Sequence, residues 1–144
     1  MFIPQRHLPA MDSLQSGLLK TYKNFKKIKL VSGKSVLLEG ILQPLPEGKS
    51  FRVRIIYDFK SYPKILLPDE DFSDDRPPHT FKDGSLCLYH PKGIGAWKMN
   101  RPLSDLIPLI THWLWCFEVW KATGESRWFG EEYPHEVFQG EAPC

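Results

Sequence analysis

The sequence predicts an α+β fold, with helices set against one face or end of an antiparallel sheet. Three observations carry this. Apolar residues recur at helical spacing near the start. Alternating apolar segments joined by short connections follow. A strongly apolar helix then comes after a long irregular stretch. At 144 residues the chain suits one domain with one core.

Residues 1–10 hold two prolines and no periodicity, which predicts a loose arm. Asp12 or Ser13 can cap a helix, and Leu14, Leu18, Leu19, Tyr22 and Phe25 then fall on one side of it, with lysines between. This predicts an N-terminal helix at about 12–26. Next the period shortens. Ile28 and Leu30, then Val36 and Leu38 across a Ser32-Gly33-Lys34 turn, read as two strands. Phe51, Val53, Ile55 and Tyr57 alternate with other residues as in a half-buried strand. Ile65, Leu66 and Leu67, between Pro63 and Pro68, read as a short fourth. Short connections make these a four-stranded antiparallel meander. From Pro68 to Pro102 there is little periodicity, and so long a loop inside a compact domain points to function. Ser104 then offers a cap, and Pro108 falls in a first helical turn, where proline is tolerated. Leu106, Leu109, Ile110, Trp113, Leu114, Phe117 and Trp120 make this helix apolar on most sides, hence buried, and Gly124 ends it. The expectation is a single domain over residues 1–144, with a tail at 123–144 whose Trp128, Phe129 and Tyr133 pack back on the core.

Composition narrows the function classes. A formal charge of +2 does not argue for nucleic-acid binding. Three cysteines, Cys87, Cys116 and Cys144, do not make a disulfide framework of the secreted kind. The apolar run from Leu106 to Trp120 falls short of a membrane span. The expected setting is the reducing cytoplasm, with no membrane and no nucleic-acid partner. Charge is unevenly spread. Between Asp12 and Glu39 every charged residue is a lysine, among them Lys20, Lys23, Lys26 and Lys27; Asp69, Glu70, Asp71, Asp74 and Asp75 form an acidic cluster later. Both fit solvated surface as well as docking.

The chemistry lies in the irregular stretch, in Pro77-Pro78-His79-Thr80-Phe81-Lys82-Asp83-Gly84-Ser85-Leu86-Cys87-Leu88-Tyr89. Asp83-Gly84 signals a tight turn, since glycine accepts positive φ. The turn delivers Cys87 in a loop, better placed to be accessible than Cys116, which lies among Trp113, Trp115 and Phe117 and reads as a small core residue.

The Asp-Gly-Ser-Leu-Cys-Leu run, preceded by Tyr62-Pro63 and followed by Trp97 and a helix, resembles the ubiquitin-conjugating enzyme family over roughly residues 12–122. Two departures stand out. Pro77-Pro78-His79 occupies the place of the family's His-Pro-Asn tripeptide, so His79 stands where an asparagine is usual. The chain is also short for the usual last two helices. Within the superfamily the chain is similar to short bacterial conjugating enzymes of antiphage operons of the type II CBASS kind, on Leu86-Cys87-Leu88-Tyr89-His90-Pro91 and on the tail from Trp128 to His135.

The resemblance implies a transferase that carries an acyl group as a thioester on Cys87 and passes it to an amine, with no cofactor and no metal. It implies partners of the cGAS-like nucleotidyltransferase or ubiquitin-like class, and an activating enzyme docking on Lys20, Lys23, Lys26 and Lys27. His79 could donate a hydrogen bond to the oxyanion, act as a base, or simply pack the loop. His90 and His112 read as structural, and the aromatic tail that holds His135 folds back either onto the cysteine loop or onto the core. Three rivals remain at this level: a non-catalytic binding module of the same fold; a cysteine hydrolase pairing Cys87 with His79, His90 or His135; and a zinc site from His79, Cys87 and His90, whose spacing fits no common four-ligand pattern.

Overall fold

The computed structural model describes residues 18–19, 22, 24–31, 35–58, 62–72, 76–88 and 101–128. Four strands, β1 (Lys26–Val31), β2 (Ser35–Leu42), β3 (Phe51–Tyr57) and β4 (Lys64–Leu66), form one sheet in the order β1-β2-β3-β4, every neighbour antiparallel. A 3₁₀ turn (Leu103–Asp105) leads into helix α1 (Leu106–Ala122). The architecture is α+β.

Register follows from side-chain alternation. Val36 faces Tyr57, Leu38 faces Ile55, Gly40 faces Val53 and Leu42 faces Phe51. Ile55 in turn faces Ile65. These residues lie on the inner face, and a slip of one residue would turn the whole set to solvent. The inner face packs on α1: Phe51 meets Phe117 edge to face at 6.0 Å, and both belong to one buried cluster with Leu106, Ile107, Ile110, Trp113, Leu114 and Trp120. The helix buries the stripe just named and leaves Pro108 and His112 exposed on its outer side.

The helix ends differ in how far the residues foretold them. At the C-terminal end, Gly124 adopts φ 68°, its N–H donates to Lys121 C=O at 3.2 Å, and Glu125 N–H donates to Trp120 C=O at 2.8 Å. This is a Schellman stop, as Gly124 predicted. At the N-terminal end Ser104 is not the cap. It sits inside the 3₁₀ turn, and no side chain caps the helix.

Most of the expected N-terminal helix, and the arm at 1–10, lie outside the described residues. Leu18 and Leu19 are helical, and Tyr22 N–H donates to Leu18 C=O at 2.8 Å. The helix does not reach residue 26. Asn24 lies in a turn and Lys26 already pairs with Glu39 in the sheet. The reason is Phe25, which is buried flat against Gly40 of β2: a Cβ built on Gly40 would stand 2.4 Å from the Phe25 ring. The ring fills the place a side chain would take, so the chain must leave the helix there.

On the outer face Arg52 grips Asp69 with two hydrogen bonds, at 2.7 and 3.1 Å, while Arg54 reaches Glu39 at 3.1 Å. Lys49 pairs with Glu70 at 2.6 Å. Part of the acidic cluster thus ties the chain after β4 back to β3; Asp74 and Asp75 lie outside the described residues. Among the described residues no helix is long and apolar enough to cross a membrane.

Gly40→Ala places a methyl group inside the Phe25 ring. It should cost about 1–3 kcal/mol of stability, as overpacked cores do, and chemical denaturation of the variant beside wild type measures this.

Candidate active site at the cysteine hairpin

After β4 the chain returns along the sheet and makes a small hairpin. Gly84 N–H donates to Phe81 C=O at 2.9 Å, Phe81 N–H to Ser85 C=O at 2.8 Å, and Thr80 bridges Leu86 antiparallel. Gly84 has φ 89°, a conformation that the missing Cβ permits. Asp83 closes the turn from within: its Oδ1 accepts from Ser85 N–H at 2.9 Å and from Ser85 Oγ at 2.6 Å, an Asx-type turn. Lys64 at the start of β4 pairs with its other oxygen at 2.9 Å. Burial pushes the Asp83 carboxyl upward, but the bonds from Ser85 and Lys64 outweigh it and hold the carboxyl down at about 2.

The hairpin is tied to both layers. Leu86 N–H donates to Ile65 C=O of β4 at 2.9 Å. One step on, Cys87 N–H donates to His79 C=O at 2.9 Å. The same carbonyl accepts the indole N–H of Trp113, from α1, at 2.9 Å. His79 has φ 57°, left-handed backbone that a histidine adopts more readily than most residues. Its ring lies against Trp128 at 5.7 Å, and Trp128 stands edge-on to Trp113 at 5.1 Å. Trp128 packs against the core; the rest of the expected tail, from 129 on, lies outside the described residues. Tyr62, 42% exposed, stacks on Phe81 at 6.1 Å beside the turn.

Cys87 and His79, expected at one site, are cross-strand neighbours in this hairpin. Cys87 is half-buried, and among the described residues 76–88 nothing is helical. Cys116 is buried in α1 with its sulfur 3.6 Å from His112 Nε2, and burial pushes its thiol up to about 11, so it is protonated at neutral pH.

The docking lysines divide. Lys20 and Lys23 lie outside the described residues, as do His90, His135 and Trp97. Lys26 and Lys27 belong to β1, not to a helix face, because the helix stops before Phe25. His112 is exposed on α1 and stacks on Trp115. Among the described residues no group of three His, Cys, Asp or Glu side chains comes together to hold a metal. Trp113 and Trp128 carry no local signal that would have marked them as parts of the site, whereas the Asp83-Gly84-Ser85 turn does.

A turn-mounted cysteine locked between a small antiparallel sheet and its covering helix defines an α+β domain that presents one sulfur from an irregular segment. The family model described as Type II CBASS E2 protein matches residues 15–136, and the chain belongs to that family. No curated protein matches it.

The lowered Asp83 carboxyl fixes a sign. Its stabilising bonds are complete above the unfolded value near 3.8 and are lost as pH falls towards 2. Asp83→Ala should therefore cost on the order of 1 kcal/mol at neutral pH, screened because the pair is half-exposed. The gap from wild type should close between about pH 4 and pH 2, read by urea unfolding across that range.

Proposed function

We propose that this protein is a conjugating enzyme of bacterial antiphage defence, working in the cytoplasm, with Cys87 as its acyl carrier. The observation that carries the reading is the placement of Cys87 on the arm of a rigid turn, its amide fixed by the His79 carbonyl, in a chain whose family is Type II CBASS E2 protein.

The reduced Cys87 thiolate attacks the activated C-terminal carbonyl of a protein; a C–S bond forms and the activating group leaves. An amine then attacks the thioester carbonyl. A C–N bond forms, the C–S bond breaks, the amine gives up a proton, and the Cys87 thiolate is restored. The protein whose C-terminus is carried is of the cGAS-like nucleotidyltransferase or ubiquitin-like class. His79 serves chiefly by ordering the loop. Its Nε2 is buried and its ring is covered by Trp128, which suits a positioning role better than that of a base meeting an incoming amine. Lys20 and Lys23, with the exposed Lys26 beyond them, offer an activating enzyme a basic docking surface.

The test is intact mass of protein co-expressed with its genomic neighbours, comparing wild type with Cys87→Ala. Wild type should carry an adduct that resists a phosphine, which reduces disulfides, yet is released by hydroxylamine, which cleaves thioesters. Cys87→Ala should carry none. An adduct that persists on Cys87→Ala, or that the phosphine removes, refutes the reading. Lys20→Glu combined with Lys23→Glu should slow loading about tenfold by spoiling charge complementarity while leaving the melting temperature unchanged; single-turnover loading beside a thermal melt reads both.

A further inference from the structure

We infer that Trp113 is a positioning residue for Cys87, acting through the carbonyl of His79; the catalytic half of this inference rests on the acyl-carrier reading above. A carbonyl oxygen has two lone pairs. Here one takes the Cys87 N–H and the other the Trp113 indole N–H, each at 2.9 Å. The two donors come from distant parts of the chain, one from the hairpin arm and one from the middle of α1. The shared carbonyl is therefore a junction between the reacting residue and the helix.

The junction is needed because His79 is in a conformation it would not hold alone. Left-handed backbone at a non-glycine residue persists only where its surroundings over-determine it. Trp113 supplies such a constraint. Its ring is buried, stacked on Phe117 at 5.4 Å and flanked by Phe72 at 6.3 Å and Trp128 at 5.1 Å. The indole N–H thus has little freedom of aim. Trp128 adds a wall on the His79 ring, so backbone and ring of one residue are held by two indoles that also touch each other. Held at its amide, Cys87 presents its sulfur from a fixed origin. A displacement of about 1 Å at a reacting atom is enough to cost on the order of a hundredfold in rate.

The test removes the donor and keeps the ring. Trp113→Phe should speed hydrogen exchange at the Cys87 amide about five- to tenfold, the weight of one neutral hydrogen bond. It should lower the maximal single-turnover loading rate by a similar factor, with the half-saturating concentration of acyl donor unchanged. Phe117→Leu disturbs the same aromatic stack without touching the indole N–H. It should lower the melting temperature and leave Cys87 exchange near wild type. Should Trp113→Phe fail to fold, benzothienylalanine at position 113, in which sulfur stands for the indole N–H, tests the same bond at constant shape. Unchanged Cys87 exchange in the donor-less variant, or equal acceleration in Phe117→Leu, overturns the inference. Amide exchange needs no acyl donor. A wild-type protein that never forms a thioester would therefore refute the acyl-carrier reading, while exchange still decides whether Trp113 positions Cys87.

Discussion

The backbone carbonyl of His79 receives two hydrogen bonds, one from the amide of Cys87 and one from the indole of Trp113. Around that oxygen the structure resolves into parts that need one another. The helix supplies a rigid donor because its aromatic stripe is packed on the sheet. The sheet supplies a second anchor, through Ile65 and Leu86, because β4 runs beside the hairpin. The turn at Asp83-Gly84 fixes the spacing between the two arms. None of these bonds is strong alone, at about 1 kcal/mol net each. Together they leave the cysteine-bearing segment few ways to move without breaking a buried polar contact.

The same economy governs the electrostatics. The acidic residues after β4 are partly spent on the arginines and lysine of β3 and its approach: Asp69 on Arg52 and Glu70 on Lys49. Exposed pairs of this kind add little stability. What they do is fix the direction of the chain as it leaves β4, the segment that later delivers the hairpin. Asp83 works likewise at shorter range, joining the turn to the start of β4 through Lys64.

Much of this was legible in the residues, and the rest was hidden for physical reasons. The alternation of Phe51, Val53, Ile55 and Tyr57 announced a strand because one face must be buried. Asp83-Gly84 announced the turn because few residues accept a positive φ. Gly124 announced the end of α1 for the same reason. Local pattern failed where a distant residue decides the outcome. The first helix stops early because Gly40, in another element, makes room for Phe25. Ser104 is a capable cap, yet a 3₁₀ turn takes its place. Trp113 read as one apolar residue among many, since spacing reveals which side of a helix is buried and not what its N–H will meet. The pairing of His79 with Cys87 was suggested by resemblance; that their contact runs through backbone could be seen only in three dimensions.

Trp128 lies against two indoles of α1, Trp113 and Trp120, and also over the imidazole of His79. Rings this close share their electronic transitions. The site thus carries its own optical reporter. Near-ultraviolet circular dichroism follows whether Trp128 is seated on the helix. That signal arises beside the hairpin that carries Cys87, so the packing there can be watched without attaching a dye.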